Sequence, residues 1–293
     1  MSGITVVTGA TGTIGGHLAR RILDAGGAVR VLVRDPSKAE DLRKAGAEVE
    51  HGDYMEPGQL EGFQGAESAF LMVPIHEDMV ALGRRLHESA AAAGVRRAVR
   101  LSVSTPILVY DAFLGRAHRE LDRDFLARFP DEGALVRPEA FMENLLTSAG
   151  PIRQGRFPNV GGEARTPFIA ARDVAASTEA LLHGDSPCTG IHDLTGPASL
   201  TWADVAGAFR EELGHPVGFM DVPMEPYMAQ VRQAGLPAVI VDVLESLARF
   251  RLEDSPMAPT DAVERLTGRP PTSLPEWIRE HRSAFMRDVS GPG

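Results

Sequence analysis

Ile4-Thr5-Val6-Val7-Thr8, an apolar and β-branched run, leads directly into Gly9-Ala10-Thr11-Gly12-Thr13-Ile14-Gly15. A buried strand, three glycines at G-x-x-G-x-x-G spacing and a helix, in that order, are typical of a dinucleotide-binding turn. A Cβ at Gly9 or Gly12 would keep a pyrophosphate away from the backbone N–H groups, and the helix N-terminus offers partial positive charge to the anion. The stretch therefore predicts a nucleotide site with contacts at Gly9, Thr11, Gly12, Thr13 and Ile14.

The composition is that of an ordinary globular protein. Of the 293 residues, 43% are hydrophobic and 24% are charged, which allows a sizeable core and argues against disorder. A net charge of −10 argues against nucleic acid as a partner, since surfaces that bind phosphate backbones are basic. The single cysteine, Cys188, excludes an internal disulfide framework and fits a reducing compartment.

The ends of the chain and its apolar runs bear on location. The first strand begins near residue 4 without a signal sequence before it, and no apolar run is long enough to cross a bilayer. We therefore expect a cytoplasmic protein, either a monomer or a homodimer, whose partner is a small-molecule substrate and not a membrane.

Strands alternate with helices through the first half of the chain. The runs 28–33, 48–50, 66–73, 97–103 and 134–137 indicate strands separated by helical patterns. Such alternation predicts an α/β protein with a Rossmann-type doubly wound parallel sheet, with the ligand at the carboxyl ends of the strands. Residues 150–162 are predicted to form a loop. We expect a cofactor-binding Rossmann domain over 1–150 and a smaller, mainly helical substrate-binding region over 151–293, with part of 164–194 returning to the sheet.

The end of the second strand, Val31-Leu32-Val33-Arg34-Asp35, bears on the choice of nicotinamide cofactor. An acidic residue here binds the ribose hydroxyls of NAD, whereas a basic residue accommodates the 2′-phosphate of NADP. Arg34 can offer a bidentate fork to that phosphate, and Lys38 follows one turn later. We predict NADP(H), with Arg34 and Lys38 as contacts. Asp35 keeps NAD open, and a solvated strand end is the alternative explanation for Arg34.

Three further segments complete the predicted cofactor site. Asp53 follows the third strand, where its carboxylate suits the exocyclic amine of adenine, although a turn aspartate that caps the next segment is the alternative. Val73 and Pro74 lie at the end of the fourth predicted strand, and Ser102 lies at the end of the fifth.

A catalytic proton donor is harder to assign. Short-chain dehydrogenases place Tyr-x-x-x-Lys on the helix after the fifth strand, where the lysine lowers the pKa of the tyrosine. This chain has three tyrosines, its two lysines both lie before residue 45, and the spacing does not occur. The candidates are Tyr110, in a loop, and His118, which is of a type that titrates near neutral pH. For His118 the alternative is a structural role, paired with Glu120, Asp122 or a backbone carbonyl.

Residues after the sixth strand are candidates for substrate contacts. Phe141, Met142 and Asn144 are expected to face the nicotinamide end of the site and to form an apolar pocket for a flat substrate, with a packed helix as the alternative. His183 and His192 have no carboxylate pattern between them, so no metal site is predicted.

Thr8-Gly9-Ala10-Thr11-Gly12-Thr13-Ile14-Gly15, taken with Val33-Arg34-Asp35-Pro36-Ser37-Lys38, resembles the NmrA-like branch of the atypical short-chain dehydrogenases/reductases. The similarity continues through Gly52-Asp53, Arg116-Ala117-His118-Arg119-Glu120, Arg137-Pro138-Glu139-Ala140-Phe141-Met142-Glu143-Asn144, Arg172-Asp173-Val174-Ala175, Leu194-Thr195-Gly196-Pro197 and Leu266-Thr267-Gly268-Arg269-Pro270-Pro271. The resemblance covers nearly the whole chain and implies NADP(H) binding without the tyrosine–lysine dyad. Some such proteins reduce quinones, azo compounds or iminium carbons, and others sense the cofactor.

The sequence thus favours an NADPH-dependent reductase that transfers hydride directly to a small conjugated or aromatic substrate of the quinone, imine, iminium or carbonyl type. Such electron-poor acceptors need little acid assistance, which would account for the missing dyad. Two alternatives stay open: an NADP(H)-sensing regulator that acts through a protein partner, and a non-redox isomerase with a resident cofactor.

Overall fold

The structure, a computed structural model, describes residues 3–53, 55, 61–252 and 258–286. Contacts within the chain divide it into two units. The first contains residues 1–138, 171–194 and 262–269, and the second contains residues 139–170, 195–261 and 270–293.

Strands and helices alternate over the described residues as the sequence predicts. The strands are β1 Ile4–Thr8, β2 Ala28–Val33, β3 Glu48–His51, β4 Ala66–Leu71, β5 Arg97–Leu101, β6 Gly133–Pro138, β7 Arg156–Asn159, β8 Gly190–Leu194 and β9 Gly218–Asp221. The α-helices are α1 Thr13–Asp24, α2 Glu40–Lys44, α3 Met79–Ala92, α4 Thr105–Val109, α5 Phe113–Arg128, α6 Ala149–Arg153, α7 Ala171–His183, α8 Trp202–Leu213, α9 Met224–Gln233, α10 Ala238–Leu252, α11 Ala262–Thr267, α12 Leu274–Glu280 and α13 Arg282–Phe285. Short 3-10 helices cover Pro36–Ala39, Glu61–Phe63 and Met142–Ser148.

A parallel sheet of seven strands, in the order β3-β2-β1-β4-β5-β6-β8, forms the centre of the first unit. The predicted Rossmann-type doubly wound sheet is therefore confirmed. The chain moves outward from β1 in one direction to β3 and then returns to add β4 on the other side of β1. Because the strand order reverses between β1 and β4, the ligand crevice is expected outside the carboxyl ends of these two strands.

Apolar faces of the helices join the sheet to form the core of the first unit. Ile14, Leu18 and Ile22 of α1 are buried at four-residue spacing, which gives the helix one apolar stripe. Helix α3 packs closely on α5, and a Cβ at Gly83 would lie 2.5 Å from a methyl carbon of Leu121. Each fully buried leucine or isoleucine stabilises the fold by about 1.5–3 kcal/mol.

His87 on α3 is fully buried against α5, and burial lowers its pKa. Its Nδ1 lies 2.8 Å from Oδ2 of Asp124, and its ring meets the Phe125 ring edge-on with centroids 5.5 Å apart. Burial is the largest cause and the charge of Arg100 the next; together they lower the His87 pKa to about 4, although Asp124 acts in the opposite direction. The fold therefore accommodates the neutral ring at pH 7.

We expect acidification to destabilise the fold through His87. As the pH falls, the unfolded chain takes up a proton near pH 6.5, whereas folded His87 does so near pH 4. The stabilising contribution is therefore present above pH 6.5 and is lost between 6.5 and 4, by about 2 kcal/mol from pH 7.5 to pH 5. Urea unfolding at those two pH values should show that the free energy of unfolding falls by about 2 kcal/mol more in the wild type than in His87→Gln. Equal losses in the two proteins would contradict this expectation.

The second unit corrects part of the prediction that residues 150–162 form a loop, since 150–153 are helical and 156–159 form a strand. Helix α6 begins at Ala149, and β7 pairs in parallel with β9, with Pro158 opposite Met220. Glycine and proline suggested a loop, but Pro151 lies in the first turn of α6, where a missing N–H costs little. Pro158 is tolerated because a two-stranded sheet leaves one side of each strand unpaired.

Aromatic side chains form the core of the second unit. The ring of Phe157 on β7 lies 5.6 Å from that of Trp202 and 6.2 Å from that of Phe209. Phe209 also meets Phe285 at 4.7 Å. These rings hold β7, α8 and α13 together, which explains why an irregular sequence adopts a defined structure here.

Among the described helices, none combines the length and the apolar character needed to cross a lipid bilayer.

Candidate functional site

The glycine turn connects the end of β1 to α1. Gly9 has a φ of 66°, in the left-handed region that favours glycine. The Gly12 N–H donates to the Gly9 carbonyl oxygen over 2.9 Å, which closes the turn. A Cβ at Gly15 would lie 2.5 Å from the same carbonyl oxygen. Backbone geometry therefore requires glycine at both ends of the motif.

The N-terminus of α1 is suited to an anion. Gly12 is its N-cap residue, no side chain caps the helix, and its first turn carries no acidic residue. Thr11, Gly12 and Thr13 are exposed, while the Ile14 side chain turns into the core. The first N–H groups of a helix have no partner within the helix, and the dipole adds positive charge at this end. A pyrophosphate fits this arrangement.

Arg34 and Asp35 follow β2, next to the glycine turn, because Thr8 of β1 pairs with Leu32 of β2. Arg34 is exposed. Asp35 instead accepts hydrogen bonds from the Ser37 hydroxyl at 2.6 Å and from its N–H at 3.1 Å. The hydroxyl contact and then the backbone contact lower the Asp35 pKa. This carboxylate is thus engaged in capping the 3-10 helix Pro36–Ala39, whose exposed Lys38 lies one turn beyond Arg34.

The other predicted cofactor contacts lie at neighbouring strand ends. Asp53 follows β3, and its Oδ1 accepts from the Met55 N–H at 2.8 Å, which is the turn role that the sequence left open. Buried Val73 and exposed Pro74 follow β4 on the opposite side of β1. The Thr8 hydroxyl, which accepts from the Met72 N–H at 2.8 Å, fastens the end of β1 to this segment.

Ser102 belongs to a buried polar cluster at the carboxyl ends of β5 and β6. Its hydroxyl donates to Oδ2 of Asp122 on α5 over 2.9 Å. Arg137 donates to the same oxygen over 2.9 Å, and Arg100 donates to Oδ1. All four side chains are at most a tenth exposed. Ser102 is therefore occupied by a structural hydrogen bond, and we do not propose its hydroxyl as a cofactor contact.

His118 is buried beside this cluster. Its Nδ1 lies 3.1 Å from a terminal nitrogen of Arg100, and since a guanidinium can only donate, the ring nitrogen accepts. Burial, followed by the charges of Arg100 and Arg137, lowers the His118 pKa well below its usual range. The ring stays neutral at physiological pH. His118 therefore has a structural role, which the sequence left open as the alternative, but its partner is Arg100 and not Glu120, Asp122 or a carbonyl. We do not propose it as a proton donor.

Tyr110 lies between α4 and α5 and is half-buried. Its N–H donates to the Pro106 carbonyl over 3.2 Å, and its carbonyl accepts from Ala112 over 2.9 Å. The loop that carries Tyr110 follows β5 through the short helix α4, so it lies on the ligand-binding side of the sheet. Its role as a proton donor stays a prediction.

A cavity of about 240 Å³ lies within the second unit and receives two of the three predicted substrate residues. Phe141, Asn144 and Thr147 line it at the three-residue spacing of a 3-10 helix. Met142 is 1% exposed and packs in the aromatic core. Met142 is not among the residues that line the cavity, so we do not propose it as a substrate contact.

Trp202, Tyr227 and Arg251 are among the cavity-lining residues that the sequence analysis did not identify. Trp202 both packs in the aromatic core and lines the cavity, and half-buried Tyr227 also lines it. Arg251 also lines the cavity, and its guanidinium carbon lies 5.6 Å from the Trp202 ring centroid. The available signal was α10 itself, where cavity-lining residues recur at i, i+3, i+4 and i+7 and end on an arginine: Leu244, Leu247, Ala248 and Arg251.

One group of side chains in the described chain could offer three ligand atoms to a metal. These atoms of His76, Glu77 and Asp78 lie within 4.8 Å of one another, with both carboxylates exposed. Nδ1 of His76 accepts from the Asp78 N–H at 3.0 Å, so a local turn accounts for the grouping.

Comparison with known proteins places this geometry in a family. A model of the NmrA-like family matches residues 1–106. The NAD(P)H azoreductase of Xenophilus azovorans is 30% identical over 287 residues, which are 96% of this chain and 98% of the relative. The (4-alkanoyl-5-oxo-2,5-dihydrofuran-3-yl)methyl phosphate reductase of Streptomyces griseus is 33% identical over 290 residues, again 96% and 98% of the two chains.

A solved structure shares the fold over the same length. The NADPH-dependent quinone oxidoreductase of Escherichia coli, in complex with NADPH, matches with a TM-score of 0.84 and 22% identity, covering 95% of this chain and 99% of the other. The residues that match the family model include the turn Gly9–Gly15. The two sequence relatives extend the match over nearly the whole of both chains. The chain belongs to the NmrA-like family.

Proposed function

We propose that the protein is an NADPH-dependent reductase of a small conjugated or aromatic substrate. The observation that carries the proposal is the turn Gly9–Gly15, whose backbone geometry requires glycine and which leads into a helix N-terminus without a side-chain cap. The similarity of the chain, over nearly its full length, to two reductases, one of them an NAD(P)H azoreductase, supports the same function.

The residues that would hold the cofactor come from four adjacent strand ends. The N–H groups of the turn would bind the pyrophosphate. Arg34, with Lys38 behind it, would bind the 2′-phosphate, since Asp35 is already engaged with Ser37. Asp53, Val73 and Pro74 would line the adenine and the path toward the nicotinamide.

The chemistry follows from what the chain supplies and from what it lacks. When bound, reduced nicotinamide would supply a hydride to an electron-poor carbon or nitrogen of the acceptor. The chain has no Tyr-x-x-x-Lys, and buried hydrogen bonds occupy both Ser102 and His118. Tyr110 or water would therefore donate the proton that the reduced acceptor takes up. Quinones and iminium ions suit such a site because they need little acid assistance at the hydride step.

Turnover assays test the proposal. NADPH oxidation, followed by the loss of nicotinamide absorbance, should match the amount of acceptor reduced when quinones, iminium ions, azo compounds and activated carbonyls are offered. Tight NADPH binding without turnover across that panel would overturn the reductase and favour a cofactor sensor.

The charge reversal Arg34→Glu tests the choice of cofactor. If Arg34 binds the 2′-phosphate, the loss of a charge-assisted contact should weaken NADPH binding by at least ~1.5–3 kcal/mol, or about 10- to 150-fold, and spare NADH. Titration calorimetry with both cofactors measures this. Lys44→Glu is the matched control, because Lys44 is exposed on α2 and its reversal changes the net charge equally. An equal loss for NADPH and NADH in Arg34→Glu would refute the assignment.

A further inference from the structure

The cavity of the second unit is lined by one arginine, Arg251, among apolar, aromatic and uncharged polar side chains. Arg251 lies in the last turn of α10, after Leu244 and Leu247 on the same face. Its guanidinium carbon lies over the indole of Trp202, 5.6 Å from the ring centroid, and Phe141 also lines the cavity. The indole of Trp202 is itself fixed, because its Nε1 donates to the Val160 carbonyl over 2.9 Å. The guanidinium therefore has a fixed aromatic ring within cation–π distance.

The charge of Arg251 is incompletely compensated. Within the part of the chain that the structure describes, no hydrogen bond or ion pair reaches its guanidinium. Burial lowers the Arg251 pKa, while the negative charge of Glu139 acts in the opposite direction. An arginine remains protonated at neutral pH even so. A partly buried cation with unused N–H donors is stabilised by an anion that enters the cavity.

The size and the lining of the cavity suit a flat ring with a charged substituent. A cavity of ~150 Å³ in another protein accommodates benzene, and this one measures about 240 Å³. Phe141 and Trp202 contribute aromatic side chains to the lining, and Asn144, Asn159 and Tyr227 contribute side chains that can form hydrogen bonds.

We propose that this cavity binds the anionic oxyacid group of an aromatic or conjugated ligand, with Arg251 as the residue that determines the preference for a carboxylate or sulfonate over a neutral group. The planar guanidinium can donate two parallel hydrogen bonds to such a group, which an ammonium cannot do. The identification of this ligand with the substrate rests on the proposed reductase function. The anion preference itself does not.

Binding assays with a matched ligand pair test the proposal. The full chain is titrated calorimetrically with 2-naphthoate and with 2-naphthamide, which has the same shape without the charge, in the absence and presence of NADPH. We expect the wild type to bind the carboxylate at least about tenfold more tightly than the amide, and Arg251→Met to lose that preference. Arg251→Lys keeps the positive charge but cannot donate two parallel hydrogen bonds, so it should retain part of the preference for the carboxylate. Substitution of 2-naphthalenesulfonate for the carboxylate should give the same ranking.

The matched control is Arg249→Met. Arg249 is exposed on the same helix and pairs with Glu245 at 2.7 Å, away from the cavity lining, so its removal should leave the preference intact. Equal affinity of the wild type for acid and amide, or an undiminished preference in Arg251→Met, would overturn the proposal. If Arg251→Met fails to fold, the wild-type ratio and Arg251→Lys still decide it. Reduction of a neutral quinone by Arg251→Met would show the reductase function independently of the anion site.

Discussion

Gly15→Ala should reduce NADPH affinity by at least about 100-fold, because two or more anion contacts of ~1.5–3 kcal/mol each depend on the backbone that it displaces. The new Cβ would lie 2.5 Å from the Gly9 carbonyl oxygen, 2.7 Å from its carbonyl carbon and 2.9 Å from the Ala10 Cα. All three are backbone atoms of the turn, so no flexible side chain can move aside. The turn itself must shift, and the N–H groups that would bind the pyrophosphate shift with it.

Gly16→Ala is the matched control for this prediction. Its Cβ would lie 3.2 Å from the Ala10 carbonyl oxygen, a distance that a shift of a few tenths of an ångström relieves. Calorimetric titration with NADPH should give nearly wild-type affinity for Gly16→Ala. Overpacking in Gly15→Ala should also lower the free energy of unfolding by about 1–3 kcal/mol. Normal NADPH binding by a folded Gly15→Ala would mean that the turn is not the pyrophosphate site.

Local patterns in the sequence were sufficient to predict most of the first unit. The β-branched run at Ile4–Thr8 and the glycines after it dictate a strand, a left-handed turn and a close helix, and each of these depends on residues near one another in the chain. The second unit depends on distant partners instead. Arg156–Asn159 becomes a strand because Gly218–Asp221 lies beside it and Phe157 packs on Trp202. Neither contact can be predicted from the residues next to this strand in the sequence.

The same distinction separates the parts of the site that were foreseen from those that were not. Arg34 was a candidate because the end of the second strand has a known position relative to the turn. The burial of His118 and Ser102 could not be foreseen, since it depends on Asp122, Arg100 and Arg137, which three different elements bring together. The cavity arginine was missed because an arginine at the end of an amphipathic helix usually lies in solvent.

The buried cluster around Asp122 leads to the largest expected effect on stability. Asp122 is 4% exposed and is the carboxylate that both Arg100 and Arg137 contact. Burial is the main reason that the Arg100 pKa falls to about 10, with Asp122 acting against the shift and Arg137 adding to it. Arg100 therefore stays charged at pH 7, and Asp122 is the carboxylate to which both guanidinium groups donate hydrogen bonds.

Asp122→Asn should lower the free energy of unfolding by about 3–5 kcal/mol, because it leaves two buried cations without their counter-charge. Urea unfolding at pH 7 measures the loss. Asp111→Asn is the control: Asp111 pairs with Arg116 at 3.0 Å, but its side chain is 83% exposed, so its removal should cost at most about 1 kcal/mol. If orphaned charge is the cause, adding Arg100→Met to Asp122→Asn should recover part of the loss, since removing both partners of a buried pair is less costly than removing one. Strictly additive losses would show instead that Asp122 acts through packing, and that the two arginines find other partners in the fold.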